Sequence, residues 1–501
     1  MTHFGWIDGG IVGLYLVATM AAGLMVRRYV GRVEDFLVAG REMDVHLGVA
    51  SLAATEFGVV TCMYTAQSGY LYGFAGATPG VLMALAMFFV GWTGFCVKPL
   101  REARVVTLPE LFEQRFGAGV RRAAGVVIVL GGLLNMGVFL RTGGEFLMTV
   151  VGGSASPAGD PSSVPWAQAH MLELSMTALL LLVAVYTVLG GMLSVLVTDF
   201  LQFIVMSAGL LAVTILIFVH IGWDSLRRTV SDKMGAAGFN PFVNPEMGVS
   251  YVLFNACLNL AAVLTWQTTI QRVMAAKDAR TGQKVYTRTA FFFVCRFLVP
   301  GLWGIAALHT LAPGAAASTL TAMPTWLSTF LPVGLMGLLV AAMLAADMST
   351  DSSYMLTWAS VIYNDIIAPW RRPGWTDKKG LLLNRLLVAA IGAFLLFYGL
   401  WYPLKGDLWS YLGVTGTIYL ASMSTLLVAC CYWPRANTAG ATAAIVVGAA
   451  FPVAYLIAEQ NWPEVRTRIG PYWSGLASYA GAALAMVIGS LLTRSAREAR
   501  V

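Results

Sequence analysis

The sequence predicts an all-α integral membrane protein of about thirteen transmembrane helices. Three observations predict it. Of 501 residues, 58% are apolar and 11% charged, against roughly 45–50% and about 25% in soluble chains. The apolar residues gather into stretches of the roughly 20 residues that a helix needs to cross a bilayer core. The basic residues fall between those stretches with a strong bias to one side. A chain with so few charges cannot cover several water-facing surfaces, so the surplus apolar area faces lipid.

In order, the stretches are 5–26, 46–71, 76–97, 123–150, 169–189, 193–220, 248–271, 289–311, 330–362, 381–401, 408–432, 438–458 and 472–493. The first has no basic leading segment and carries Asp8, so it reads as a retained span and not a cleaved signal. The longest connections, 98–122 and 221–247, are modest, and nothing outside the spans is long enough for a soluble domain. With the N-terminus outside, 24 of the 32 Lys and Arg fall in inner loops and 6 in outer loops, and Arg141 and Arg296 lie within spans. By the positive-inside rule this predicts the N-terminus outside and the C-terminus in the cytoplasm, in an inner plasma membrane. The net charge of +7 is then topological, and no nucleic-acid partner is expected. The six Cys all lie in apolar runs without disulfide or metal-ligand spacing, and read as small packing residues.

Spans that only anchor can be uniformly apolar, and three of these are not. The second contains Ser51, Thr55 and Glu56 with Gly58; the seventh contains Asn255, Asn259, Thr265, Gln267, Thr268 and Thr269; the ninth packs Asp347, Ser349, Thr350, Asp351, Ser352 and Ser353 into seven positions. A carboxylate at the bilayer centre costs roughly 2.5–3.5 kcal/mol on the insertion scale, so such groups mark function or a wet cavity. Scattered Ser and Thr read as polar glue between helices. Ser349, Ser352 and Ser353 stand at i, i+3 and i+4 and share a face, while Asp347 and Asp351 form another i, i+4 pair. Hydroxyls and carbonyls beside a carboxylate are hard ligands suited to an alkali cation. The second and seventh spans each open a run of five, which is the pattern of an inverted-repeat transporter binding its ligands where helices unwind. The expected divisions are 1–45 (an extra helix and loop), 46–220 and 248–432 (the two five-helix repeats) and 433–501 (two further helices and a short tail).

Five stretches in order carry a family resemblance. They are Phe36–Arg41; Thr107–Phe116, with its Thr-Leu-Pro-Glu start; Gly190–Met192 with Thr198, Asp199 and Gln202; Gln271-Arg272 with Ala275–Lys277; and Ala345–Leu356 with Asp365. Over nearly the whole chain the sequence resembles the sodium:solute symporter family, which includes sodium/glucose and sodium/proline cotransporters. The resemblance implies a LeuT-type fold with helices 1 and 6 of the core broken, and sodium as the coupling ion, one or two per cycle. The main sodium site it implies uses the carbonyls of Ala54, Phe57 and Ala346 with the hydroxyls of Ser349 and Thr350. A second would use Asp199 with Ser349, Ser352 and Ser353. Glu56 falls where proline transporters have an Asp important for sodium, so Glu56, Asp347 and Asp351 are the candidate coupling carboxylates.

The positions that bind hexose in the sugar branch read Val60, Thr61, Gly80 and Trp266, and its aromatic inner gate falls at Thr269. The polar sugar-binding set is therefore absent. The candidate substrate residues are Thr55, Thr61, Thr265, Trp266, Gln267 and Thr269. With Arg141 and Arg296 in the membrane, a small carboxylate or amino acid is favoured over a hexose. The expected function is sodium-coupled symport of a small organic solute by alternating access. The rivals are a proton-driven symporter on the same scaffold and a membrane sensor. An enzyme is not expected, because no nucleophile–base pair or metal-ligand spacing is visible.

Overall fold

The computed structural model describes every residue except 1–3, 30, 152–165, 167–169, 313, 371–375, 403–406, 463 and 494–501. Arg371, Arg372, Lys405, Arg494, Arg497 and Arg500, which the charge count above assigned to loops, lie outside the described residues. The principal helices are α1 (Trp6–Val26), α2 (Val45–Thr55), α3 (Val59–Tyr72), α4 (Thr78–Thr93), α5 (Ala118–Met136), α6 (Phe139–Val151), α7 (Met171–His220) and α8 (Gly248–Thr265). They continue with α9 (Gln267–Ala275), α10 (Ala279–Thr310), α11 (Leu335–Val361), α12 (Asp377–Trp401), α13 (Leu408–Tyr432), α14 (Thr438–Asn461) and α15 (Gly470–Leu492).

Among the described residues, 11 helical segments are long and apolar enough to cross a membrane. Thirteen stretches become 11 segments because two pairs run together: α3 joins α4 through the 3-10 turn Gly73–Ala77, and α7 is continuous over 50 residues. A straight helix of that length would span about 75 Å, more than twice a hydrocarbon core. It is broken at Gly191, whose φ of 54° and ψ of −148° belong to a region that only glycine occupies readily. Space requires glycine there too, since a Cβ would stand 2.6 Å from the Phe36 carbonyl oxygen.

Helix α11 is the centre of the bundle. Every residue from Leu339 to Val361 is buried, so its sequence has no outward face to display. It packs along α7, α1, α6 and α12, and also meets α2, α3 and α9. Its N-terminus is closed by Asp8 of α1, whose Oδ1 accepts from Gly334 N (2.7 Å) and Gly337 N (2.6 Å). The carboxylate faces the positive end of the helix dipole, and this explains an acid in an otherwise apolar first span. Around the outside, Leu85, Phe88, Trp92, Leu130, Phe291, Leu386 and Phe397 are exposed in a girdle of large apolar side chains that lipid would cover.

One end of the bundle is tied shut by backbone. Met43 pairs with Ala276, and Met43 N–H donates to the Ala275 carbonyl while Lys277 N–H donates to the Met43 carbonyl. Arg101 Nε and Nη2 donate to the carbonyls of Ala276 (2.6 Å) and Lys277 (3.2 Å). Burial draws this guanidinium below its usual pKa range, with Arg41 and Arg104 adding to the effect. Nearby, Asp365 accepts from Thr107 Oγ1 (2.8 Å) and Arg121 Nε (2.9 Å), which ties the Thr-Leu-Pro-Glu stretch to the end of α11.

The structure corrects the sequence reading of Arg272. Counted above among loop cations, it is wholly buried near the end of α9 and paired with Asp199. A carboxylate and a ring of hydroxyls replace its water, so a charge at the margin of an apolar run turns inward.

Candidate functional site

The two polar interruptions are the places where helices break. Helix α2 stops at Thr55, Gly58 is extended (φ −87°, ψ 172°), and α3 starts at Val59. Helix α8 stops at Thr265, Trp266 is extended (φ −64°, ψ 119°), and α9 starts at Gln267. A helix end leaves carbonyls and N–H groups without helical partners, and these breaks expose such groups inside the protein. Gly58 is fitted closely against α11: a Cβ there would lie 2.7 Å from Thr350 Oγ1.

Two buried clusters surround the breaks. In the first, Asp199 of α7 is the hub. Its Oδ1 accepts from Ser349 Oγ (2.6 Å), and its Oδ2 from Ser51 Oγ (2.5 Å), Thr55 Oγ1 (3.2 Å) and Arg272 Nη2 (3.1 Å). Arg272 also donates to Ser353 Oγ (2.7 Å), Thr55 Oγ1 (2.5 Å), Ser51 Oγ (3.1 Å) and the Thr268 carbonyl (3.2 Å). Ser352 Oγ donates to the Ser349 carbonyl, and Thr350 Oγ1 to the Thr55 carbonyl (2.9 Å).

These directions matter for a cation. A hydroxyl that ligates one must send its proton elsewhere, and both Ser349 and Thr350 do so. Their lone pairs are left for an ion, and the family resemblance nominates the carbonyls of Ala54, Phe57 and Ala346 as its remaining ligands. All of these residues are buried, and the donor set is oxygen throughout. The residues present therefore fit a sodium ion between α11 and the first break.

In the second cluster, Glu56 accepts from Thr268 Oγ1 (2.8 Å) and Thr269 Oγ1 (3.2 Å), and its Oε2 faces Arg296 Nη1 at 3.4 Å. Arg296, on α10, donates to Tyr64 OH (2.8 Å) and lies over the rings of Phe293 and Phe297, while its Nε has no partner among the described residues. This pair lines a cavity beside both breaks. Thr55, Val60, Thr61, Trp266, Tyr354, Asn135, Phe139, Asn259 and Trp409 also line it, and Trp266 Nε1 donates to Tyr354 OH (2.8 Å).

Of the substrate residues expected from sequence, Thr55, Thr61 and Trp266 stand at the cavity. Thr265, Gln267 and Thr269 do not: the first two turn to the carbonyls of Ala261 and Thr265, and Thr269 to Glu56. Gly80 instead packs against Phe297. Asn135, Phe139, Tyr354 and Trp409 were missed, because single polar or aromatic residues in unbroken spans give no sequence signal of where they face.

The intramembrane cations resolve separately. Arg141 pairs with Glu145 at 2.8 Å, one turn along α6, and donates to the Gly399 carbonyl. Neither Arg141 nor Arg296 pairs with Asp347 or Asp351. Asp347 Oδ2 and both Asp351 oxygens are buried without a hydrogen-bond partner among the described residues, and Asp347 abuts Gly143.

Comparison with known proteins accords with this geometry. The model of the sodium:solute symporter family matches residues 36–448. The chain is 27% identical to the sodium/glucose cotransporter of Vibrio parahaemolyticus, over 89% of this chain and 84% of that one. It is 24% identical to the osmoregulated proline transporter OpuE of Bacillus subtilis, over 88% and 86%. In three dimensions it resembles the outward-open, substrate-bound state of a sodium-coupled sialic acid symporter, with a TM-score of 0.80, 19% identity, and coverage of 98% of this chain and 99% of that one. MhsT in complex with L-phenylalanine aligns with a TM-score of 0.51 at 14% identity, over 90% and 98%, which places the chain among LeuT-like folds. With a match across most of its length, and broken helices around a buried oxygen-rich cluster, the chain belongs to the sodium:solute symporter family: it is a multi-pass membrane transporter, sodium-coupled, and not an enzyme.

Proposed function

We propose that this protein carries a small amino acid or other small carboxylate together with sodium. The observation that carries this reading is the Glu56–Arg296 ion pair at the cavity wall, 3.4 Å apart, with Arg296 Nε unpartnered among the described residues. Arginine presents a fork suited to a carboxylate. Glu56 beside it suits an ammonium, and the aromatic walls suit an apolar body. Asn135, Asn259, Thr61 and Tyr354 also line the cavity, so it is the charged pair, for which a neutral hexose has no complement, that favours a carboxylate or amino acid.

Sodium is held by the carbonyls of Ala54, Phe57 and Ala346 and the hydroxyls of Ser349 and Thr350. Binding joins α11 to the first break and favours the state that accepts solute from outside. The inward field adds about 2.3 kcal/mol per charge per 100 mV to the concentration gradient. In the full reading, thirteen spans form two inverted five-helix repeats, 46–220 and 248–432. One helix precedes them in 1–45 and two follow in 433–501, and the end tied by Met43, Arg101 and Ala276 faces the cytoplasm. The N-terminus then lies outside an inner plasma membrane, with the C-terminus inside.

Asp347 Oδ2 and both Asp351 oxygens, unpartnered among the described residues, support a second reading in which protons share or replace the role of sodium. Uptake driven by an imposed pH gradient without sodium would favour it. The main test is a thermal-shift screen of purified protein against amino acids, small carboxylates and hexoses, with and without sodium. Sodium-dependent stabilisation by an amino acid or carboxylate is expected. Stabilisation by hexoses alone would overturn the substrate assignment.

A further inference from the structure

The group that the family resemblance nominates for a second sodium is Asp199 with Ser349, Ser352 and Ser353. Two of these oxygens, Asp199 Oδ2 and Ser353 Oγ, already face a cation of the chain's own. Asp199 Oδ1 orients Ser349, and Ser352 Oγ is turned to the Ser349 carbonyl. Asp199 Oδ2 and Ser353 Oγ both receive Arg272 Nη2, at 3.1 and 2.7 Å.

Arg272 and Asp199 are both wholly buried, so no water screens either charge. An arginine keeps its proton at all relevant pH. A sodium ion on this carboxylate would sit against a fixed guanidinium, in surroundings where like charges repel strongly. The donor set therefore does not fit a second sodium, because a cation of the chain's own occupies it.

We infer that Arg272 is a tethered cation in place of a second sodium, so that the transporter binds and carries one sodium per cycle. Asp199 is then a positioning residue. By accepting the Ser349 proton it turns that hydroxyl's lone pairs toward the single ion, and Arg272 holds Asp199 in place to do so. The inference rests on the sodium site proposed above at Ala54, Phe57, Ala346, Ser349 and Thr350.

The experiment is equilibrium binding of radioactive sodium to the purified full chain in detergent, without solute, counting ions per chain. One ion per chain with a Hill coefficient near 1 is expected. Arg272→Gln, which frees the Asp199 charge, is expected to bind two ions, and Arg272→Gln combined with Asp199→Asn is expected to return to one. Two ions on the unmodified chain, falling to one in Asp199→Asn, would overturn the inference while leaving sodium symport intact. An Arg272→Gln chain that folds and still binds one ion would overturn the role of Arg272. Should that variant fail to fold, the count on the unmodified chain decides. No sodium bound at all would remove the primary site, and this inference with it.

Discussion

Thr350 Oγ1 on α11 donates to the Thr55 carbonyl at the first helix break, 2.9 Å away across 295 residues of chain. The contact joins the two parts of the molecule that a bound sodium would bridge, and it fixes the direction of a hydroxyl proton that the ion cannot tolerate facing it.

Removing either hydroxyl ligand should weaken sodium selectively. Ser349→Ala and Thr350→Ala should each raise the sodium needed for half-maximal uptake about tenfold, the equivalent of roughly 1.4 kcal/mol. Thr350→Ser should stay near the unmodified protein. Uptake into proteoliposomes over a sodium titration measures this, and unchanged sodium dependence in both alanine variants would count against the site.

The Glu56–Arg296 pair should show the asymmetry of buried charges. Glu56→Gln or Arg296→Gln alone leaves one charge unmatched at a cost of about 3–5 kcal/mol, while the double variant should recover much of the lost stability. Thermal unfolding in detergent measures that. Uptake of a carboxylate solute should stay lost in every variant lacking Arg296.

At the closed end, Arg101 clamps two carbonyls of the segment after α9. Arg101→Ala should free that segment from its pairing with Met43. Amide hydrogen exchange at Met43 and Lys277, whose N–H groups make the pairing bonds, should quicken by tenfold or more while exchange in α11 is unchanged.

Gly191→Ala should be strongly destabilising, by about 1–3 kcal/mol from backbone strain alone, with the Phe36 contact adding more. A melting temperature within a degree of the unmodified protein would contradict the need for glycine there.

Much of the site was legible in sequence because its groups are out of place in a membrane. Glu56, the 347–353 run and the Asn and Thr of 255–269 stand out against apolar neighbours, and the breaks fall among them. Arg272 was misread for the same physical reason in reverse. At the margin of an apolar run a cation looks like a loop residue, and only its distance to Asp199, 73 positions away, shows otherwise.

The sequence by itself determined the membrane class, the number of apolar stretches, the two interruptions and the family, since each depends on composition or on local order along the chain. Tertiary structure alone decided the partners: Arg272 with Asp199, Arg296 with Glu56, Asp8 with the start of α11, and neither carboxylate of Asp347 and Asp351 with a cation among the described residues. The reason is the cost of a bare charge in a low-dielectric interior. Asp199, Glu56 and Asp8 each take the complementary group that packing brings within reach, and the chain carries no local mark of which that will be.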